Sequence, residues 1–184
     1  MVREESKESK DSKDNGERKE SQGTPDRSRS RQRAVKILGS RQLSSREMGK
    51  RLSRKGEAED TVQDTVRWLE DIGALNDVDY AEGIVRHYST KGYGKARIRD
   101  EFYKRGIPRE LWEDAMAGIE DAASSGATFQ YLDRRLRGSS EKEDLRRAIN
   151  SLCNRGFSFE EARMEVSSYL ESIANTEERD DAER

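Results

Sequence analysis

A glycine preceded by a cation, with an apolar residue one helical turn earlier, returns twice at the same interval, as Leu52-Ser53-Arg54-Lys55-Gly56, Phe102-Tyr103-Lys104-Arg105-Gly106 and Leu152-Cys153-Asn154-Arg155-Gly156. A chain that repeats itself about every 50 residues is built from copies of one supersecondary unit, so the period constrains the fold before any single helix is assigned. Each glycine can take the left-handed conformation that a helix C-cap requires, and the basic residue before it lies at the negative end of the helix dipole.

The period extends to the apolar residues. Leu52, Phe102 and Leu152 precede the glycines by one helical turn, and Met48, Ile98 and Ala148 precede those by another. Each copy therefore carries an i, i+4 apolar pair on one face of a helix. Beyond the glycines, Val62, Val66 and Leu69 match Trp112, Met116 and Ile119, and these match Ala162, Val166 and Tyr169, the spacing of a second helix with one buried stripe. With a shorter helix at the start of each copy, the expected architecture is all-α: tandem three-helix repeats, nine helices in three units. Leu52, Phe102, Leu152 and Trp112 are expected as core residues, and Gly56, Gly106 and Gly156 as helix stops.

Composition agrees with small stacked units. Of 184 residues only 31% are hydrophobic and 40% are charged, too few apolar side chains for one large core. In a repeat array each unit uses its neighbour to cover its own apolar face. Residues 1–32 hold nine Lys/Arg against eight Asp/Glu and almost nothing apolar, so a disordered charged tail is expected there. The units then fall at 33–75, 76–121 and 126–173, and an acidic, frayed tail is expected over 174–184. Capping boxes are expected at Ser44 with Glu47 and at Ser158 with Glu161.

Catalysis finds little support. His87 is the one histidine and Cys153 the one cysteine, so neither a Cys/His pair at ligand spacing nor an internal disulfide is available. A lone cysteine suits a reducing cytoplasm, and no apolar run has the length of a membrane span or signal-peptide core. Gly92-Tyr93-Gly94 superficially suggests a phosphate-cradling loop, yet no strand precedes it and the spacing is too short, so a helix C-cap and turn is the simpler expectation. No enzyme activity, metal or cofactor is expected, and a monomer is.

Charge is more informative. Residues 33–108 hold sixteen Lys/Arg against twelve Asp/Glu, whereas 109–184 hold eleven against eighteen. In the basic half Lys50, Arg51, Arg54 and Lys55 lie on the second helix of the first unit, and Lys95, Arg97, Arg99, Lys104 and Arg105 on its counterpart in the second. Stacking would bring these nine onto one ridge suited to phosphate or to an acidic protein groove; a merely solvated charged face is the competing reading. The run Arg27-Ser28-Arg29-Ser30-Arg31-Gln32-Arg33 is a further basic patch within the expected tail.

The order Tyr80-Ala81, then Gly94-Lys95-Ala96-Arg97-Ile98, then Leu/Phe-x-x-x-Gly before a third helix resembles the RecX family of recombinase regulators. The resemblance covers about residues 33–172 and is strongest from Leu38 through Trp112; a long N-terminal extension and a divergent third unit depart from it. It implies an elongated, curved array of three-helix units that engages the filament of the bacterial recombinase RecA on DNA. Implied too is a modulator, chiefly an inhibitor, of filament extension, ATPase and strand exchange in recombination, DNA repair and the SOS response. A helix-turn-helix DNA-binding regulator and a helical scaffold without a nucleic-acid partner are the alternatives.

Overall fold

The computed structural model of the chain describes residues 20–117 and 126–182. The expected tail over 1–19, the end of the second unit's third helix at Ile119, and residues 183–184 lie outside the described residues. Among those described, the chain is all-α: nine α-helices and one short 3-10 turn, with no strand. The first three are α1 (Glu20–Leu38), α2 (Ser45–Ser53) and α3 (Glu59–Asp71). Next come α4 (Asp77–Ser89), α5 (Lys95–Arg105) and, after a 3-10 turn at Arg109–Leu111, α6 (Trp112–Ala117). The last three are α7 (Ala127–Leu136), α8 (Lys142–Asn154) and α9 (Phe159–Ala182).

The helix pairs that pack extensively all fall within one of these triplets. Each triplet closes around its own cluster, and the repeated positions supply it. Leu52, Phe102 and Leu152 are each 0% exposed, as are Met48, Ile98 and Ala148 one turn earlier. Burying a Leu or Phe side chain this completely contributes about 1.5–3 kcal/mol. On the third helices Val62, Leu69, Met116, Ala162, Val166 and Tyr169 are buried, while Val66 packs against the first cluster from its edge. Trp112 is half-buried: its ring lies 5.7 Å from that of Phe102, and its indole N–H donates to the Ile107 carbonyl at 3.0 Å.

Local capping follows the sequence with one difference. Ser158 and Glu161 form the reciprocal box, Ser158 N–H donating to the Glu161 carboxylate at 2.7 Å and Glu161 N–H to the Ser158 hydroxyl at 3.2 Å. Ser44 accepts from Glu47 N–H at 3.1 Å, but the Glu47 carboxylate turns to Arg41 at 2.9 Å instead of closing the box.

Two boundaries differ from expectation. The first helix begins at Glu20, so residues 20–32 are helix rather than tail. Polar contacts hold this extension: Ser30 is fully buried and accepts a hydrogen bond from Thr65 at 3.0 Å, and Arg31 reaches Asp64 at 3.1 Å while its guanidinium lies 4.9 Å from the Trp68 ring. At the other end α9 runs on through Ala182, where fraying was expected after Ile173. Once the packed first turns have nucleated a helix, each further residue adds a hydrogen bond at little cost.

The units join at two seams related by the same 50-residue step. At the first, the α2 N-cap Ser44 donates its hydroxyl to the carbonyl of Arg105 at the end of α5, and Ser45 N–H donates to Asp77 at 2.8 Å. At the second, Gly94 and Ala96 at the start of α5 donate their N–H groups to the carbonyls of Arg155 and Gly156 at the end of α8, at 3.0 and 3.1 Å. Gly94 is an N-cap with no side chain to offer, so these carbonyls satisfy the free donors of α5. The Gly92-Tyr93-Gly94 segment is the expected turn, and it also serves as the docking face for the third unit.

Candidate polyanion-binding cleft

The first seam opens on one side into a cleft of about 270 Å³ lined by Arg41, Arg46, Glu47, Lys50, Arg51, Arg54, Lys104, Arg105 and Gly106. Local folding places each wall. Met48 and Leu52 hold one face of α2 in the core, which turns Lys50 and Arg54 outward. Gly106, left-handed at φ +69°, ends α5 so tightly against α2 that a Cβ there would lie 2.6 Å from Arg46 Cδ. That close approach sets Lys104 and Arg105 beside the α2 cations. Seven cations thus face one carboxylate in the lining.

The cations divide by how they are held. On α5, Lys104 and Arg105 both pair with Glu101, at 3.3 and 3.2 Å, and Arg97 joins the same carboxylate at 3.4 Å. Glu101 is buried, which alone would push its carboxyl up. Hydrogen bonds from Lys104 and Tyr88, with the Lys104 and Arg105 charges, outweigh burial and hold it below its ordinary value. Arg41 pairs with Glu47. Arg46, Lys50, Arg51 and Arg54 take part in none of the ion pairs among the described residues.

The structure therefore sorts the nine sequence candidates. Lys50, Arg51, Arg54, Lys104 and Arg105 share the cleft. Lys55 follows Arg54 but lines a different surface, with Arg29, Arg33 and Lys36. Arg97 lies under Gly156 at the second seam, Arg99 pairs with Glu113 at 3.3 Å, and Lys95 is half-buried and engaged. Arg41 and Arg46 went unremarked in the sequence, where only their places on either side of the Ser44 cap could have signalled them. No group of three or more His, Cys, Asp or Glu residues able to hold a metal occurs among the described residues, and none of their helices is long and apolar enough to cross a membrane. His87 is exposed, its ring nitrogen 3.1 Å from Lys91 Nζ.

The central unit matches the family model described as RecX, second three-helix domain, over residues 76–116. A regulatory protein RecX of Xanthomonas axonopodis pv. citri is 33% identical over 129 residues, covering 68% of this chain and 78% of that protein. The chain belongs to the RecX family. Another RecX regulatory protein, from Vibrio vulnificus, is 26% identical over 78% of this chain and 95% of its own length. Among solved structures, RecX from Lactobacillus salivarius superposes with a TM-score of 0.72 at 22% identity, covering 80% of this chain and 98% of that one. A second RecX crystal structure gives 0.64 at 19% identity, covering 82% and 74%. The fold is thus shared with RecX structures, and the family is one of regulatory proteins.

Proposed function

We propose that this RecX-family chain regulates the RecA recombinase filament on DNA, chiefly by inhibiting its extension, ATPase and strand exchange in recombination, DNA repair and the SOS response. It acts as a cytoplasmic monomer, and the cleft at the first seam is its contact with filament phosphates. The observation that carries this reading is the convergence on one cleft of Arg46, Lys50, Arg51 and Arg54, cations that pair with no carboxylate among the described residues. A phosphate entering there gains charge-assisted hydrogen bonds without breaking an ion pair. DNA belongs to this target as part of the filament and is bound only weakly alone through the cleft.

The helix-turn-helix alternative requires the first turn of a recognition helix to reach base edges. In α5 that turn is covered by the Arg155 and Gly156 carbonyls, and the N-cap of α2 is taken by the Arg105 carbonyl. A plain scaffold gives no reason for unpaired cations to gather in a cleft. The test is DNA-dependent ATP hydrolysis by the cognate recombinase across a salt series, with the parent and with Lys50, Arg51 and Arg54 all changed to Gln. The parent should depress hydrolysis, and the triple variant should do so severalfold more weakly with unchanged helicity. Equal inhibition by both proteins would show the cleft to be a solvated face.

A further inference from the structure

The extension of α1 leaves a basic surface that the cleft does not include. In the run from Arg27 to Arg33 the helical period divides the arginines: Arg27 and Arg31 turn inward to Asp64, whereas Arg29 and Arg33 turn outward. Arg33 pairs with Glu57. Arg29, Lys36 and Lys55 are exposed and take part in no ion pair among the described residues. Arg29, Arg33 and Lys36 stand at i, i+4 and i+7, so they form one stripe along α1, and Lys55 from the end of α2 lines the same surface. Arg54 lines the cleft and its neighbour Lys55 lines this surface, so the two basic regions meet at the last turn of α2.

We propose that the outer face of α1 with Lys55 is a second phosphate-contact surface, through which the first unit binds the backbone of duplex nucleic acid in the absence of any recombinase. Arg29 and Lys36, exposed on one face of α1 with Lys55 beside them and outside any ion pair among the described residues, present spaced positive charges that match a linear polyanion. Binding here releases counterions from the nucleic acid, which ties affinity to salt in proportion to the number of cations engaged.

The experiment measures binding of a labelled short duplex by the full chain alone over a salt series. Arg29, Lys36 and Lys55 are changed together to Gln, and Arg134, Arg135 and Arg163, exposed cations of the third unit, are changed to Gln as the control. The slope of log affinity against log salt should shrink by about three in the first variant and stay at the parent value in the control. Equal slopes for parent and first variant, or an equal fall in the control, would overturn the proposal. Tighter binding of a polyglutamate of matched charge than of the duplex would also overturn it, since the occupant would then be an acidic protein segment. If the triple variant loses helicity, Lys36→Gln with Lys55→Gln alone should still lower the slope by about two. The assay contains no recombinase, so its failure leaves the filament reading standing, and failure of the ATP hydrolysis test leaves this one standing.

Discussion

The two seams are one joint made twice, in different materials. In both, the start of a unit's second helix meets the end of the next unit's second helix, yet the helix ends meet at the first through a serine hydroxyl and the alkyl part of Arg46, and at the second through backbone N–H and carbonyl groups. At the second seam Arg155 adds a clamp, its guanidinium 4.3 Å from the Tyr93 ring and 4.2 Å from that of Tyr131 while donating to the carbonyls of Gly92 and Lys91. A Cβ on Gly94 would run into the Gly156 carbonyl. The second joint therefore spends its arginine on structure. The first joins through the side chains of Ser44, Arg46 and Asp77, and Lys50, Arg51 and Arg54 stay outside any ion pair among the described residues, available to an outside anion.

The deepest break is in the unit that both joints share. Phe102 is 0% exposed, and Phe102→Ala should cost about 3–5 kcal/mol, lowering the denaturation midpoint of the whole chain and exposing both seams to hydrogen exchange. A loss confined to the third unit would show that the joints are held from elsewhere. Next in size is Gly94→Ala, which forces the second seam apart and should cost about 1–3 kcal/mol or more, whereas Ser44→Ala removes one cap at the first seam and should cost about 1 kcal/mol. Denaturant melts of the two variants sharpen the comparison. If Ser44→Ala proves the more damaging, the hydroxyl joint is the stiffer of the two.

The smallest effect concerns pH. Glu101 is held below its ordinary value of 4.5 in the folded chain, so its ion pairs add stability that is complete above that value and is lost as pH falls through the depressed folded value. The partners are partly exposed, so screening leaves about 0.2–1 kcal/mol at stake. The stability difference between parent and Glu101→Gln should be constant from neutral pH down to the ordinary carboxylate range and then shrink. A difference that grows on acidification would mean that Glu101 is not the group holding Lys104 and Arg105.

Apolar periodicity made the cores readable, because Leu52, Phe102 and Leu152 obey a rule that depends only on spacing. The reach of α1 obeys no such rule: Ser30 and Thr65 are buried through a hydroxyl pair, and polar residues in a polar run carry no hydrophobic signal. The cations of the cleft were visible as residue types, but their pairing was not. Glu101 reads as one more charged residue on a charged helix until folding buries it among Arg97, Lys104 and Arg105. The seams were hidden for a further reason, since carbonyls of Arg105, Arg155 and Gly156 do the joining and every residue possesses one.

The way the second helices meet has an electrostatic consequence for the cleft. At the second seam the N–H end of α5 is closed by the carbonyl end of α8, and at the first the N-cap hydroxyl of α2 meets the carbonyl end of α5, so α8, α5 and α2 follow one another with positive end to negative end. The internal terminals cancel, and two poles remain. At the positive pole, the start of α8, stand Glu143 and Asp144; at the negative pole, the last turn of α2, stand Lys50 and Arg51. The α2 cations are thus neutralised in part by fixed peptide dipoles rather than by carboxylates. Such a counter-charge keeps them in place without occupying their hydrogen-bond donors, which stay free for whatever anion arrives.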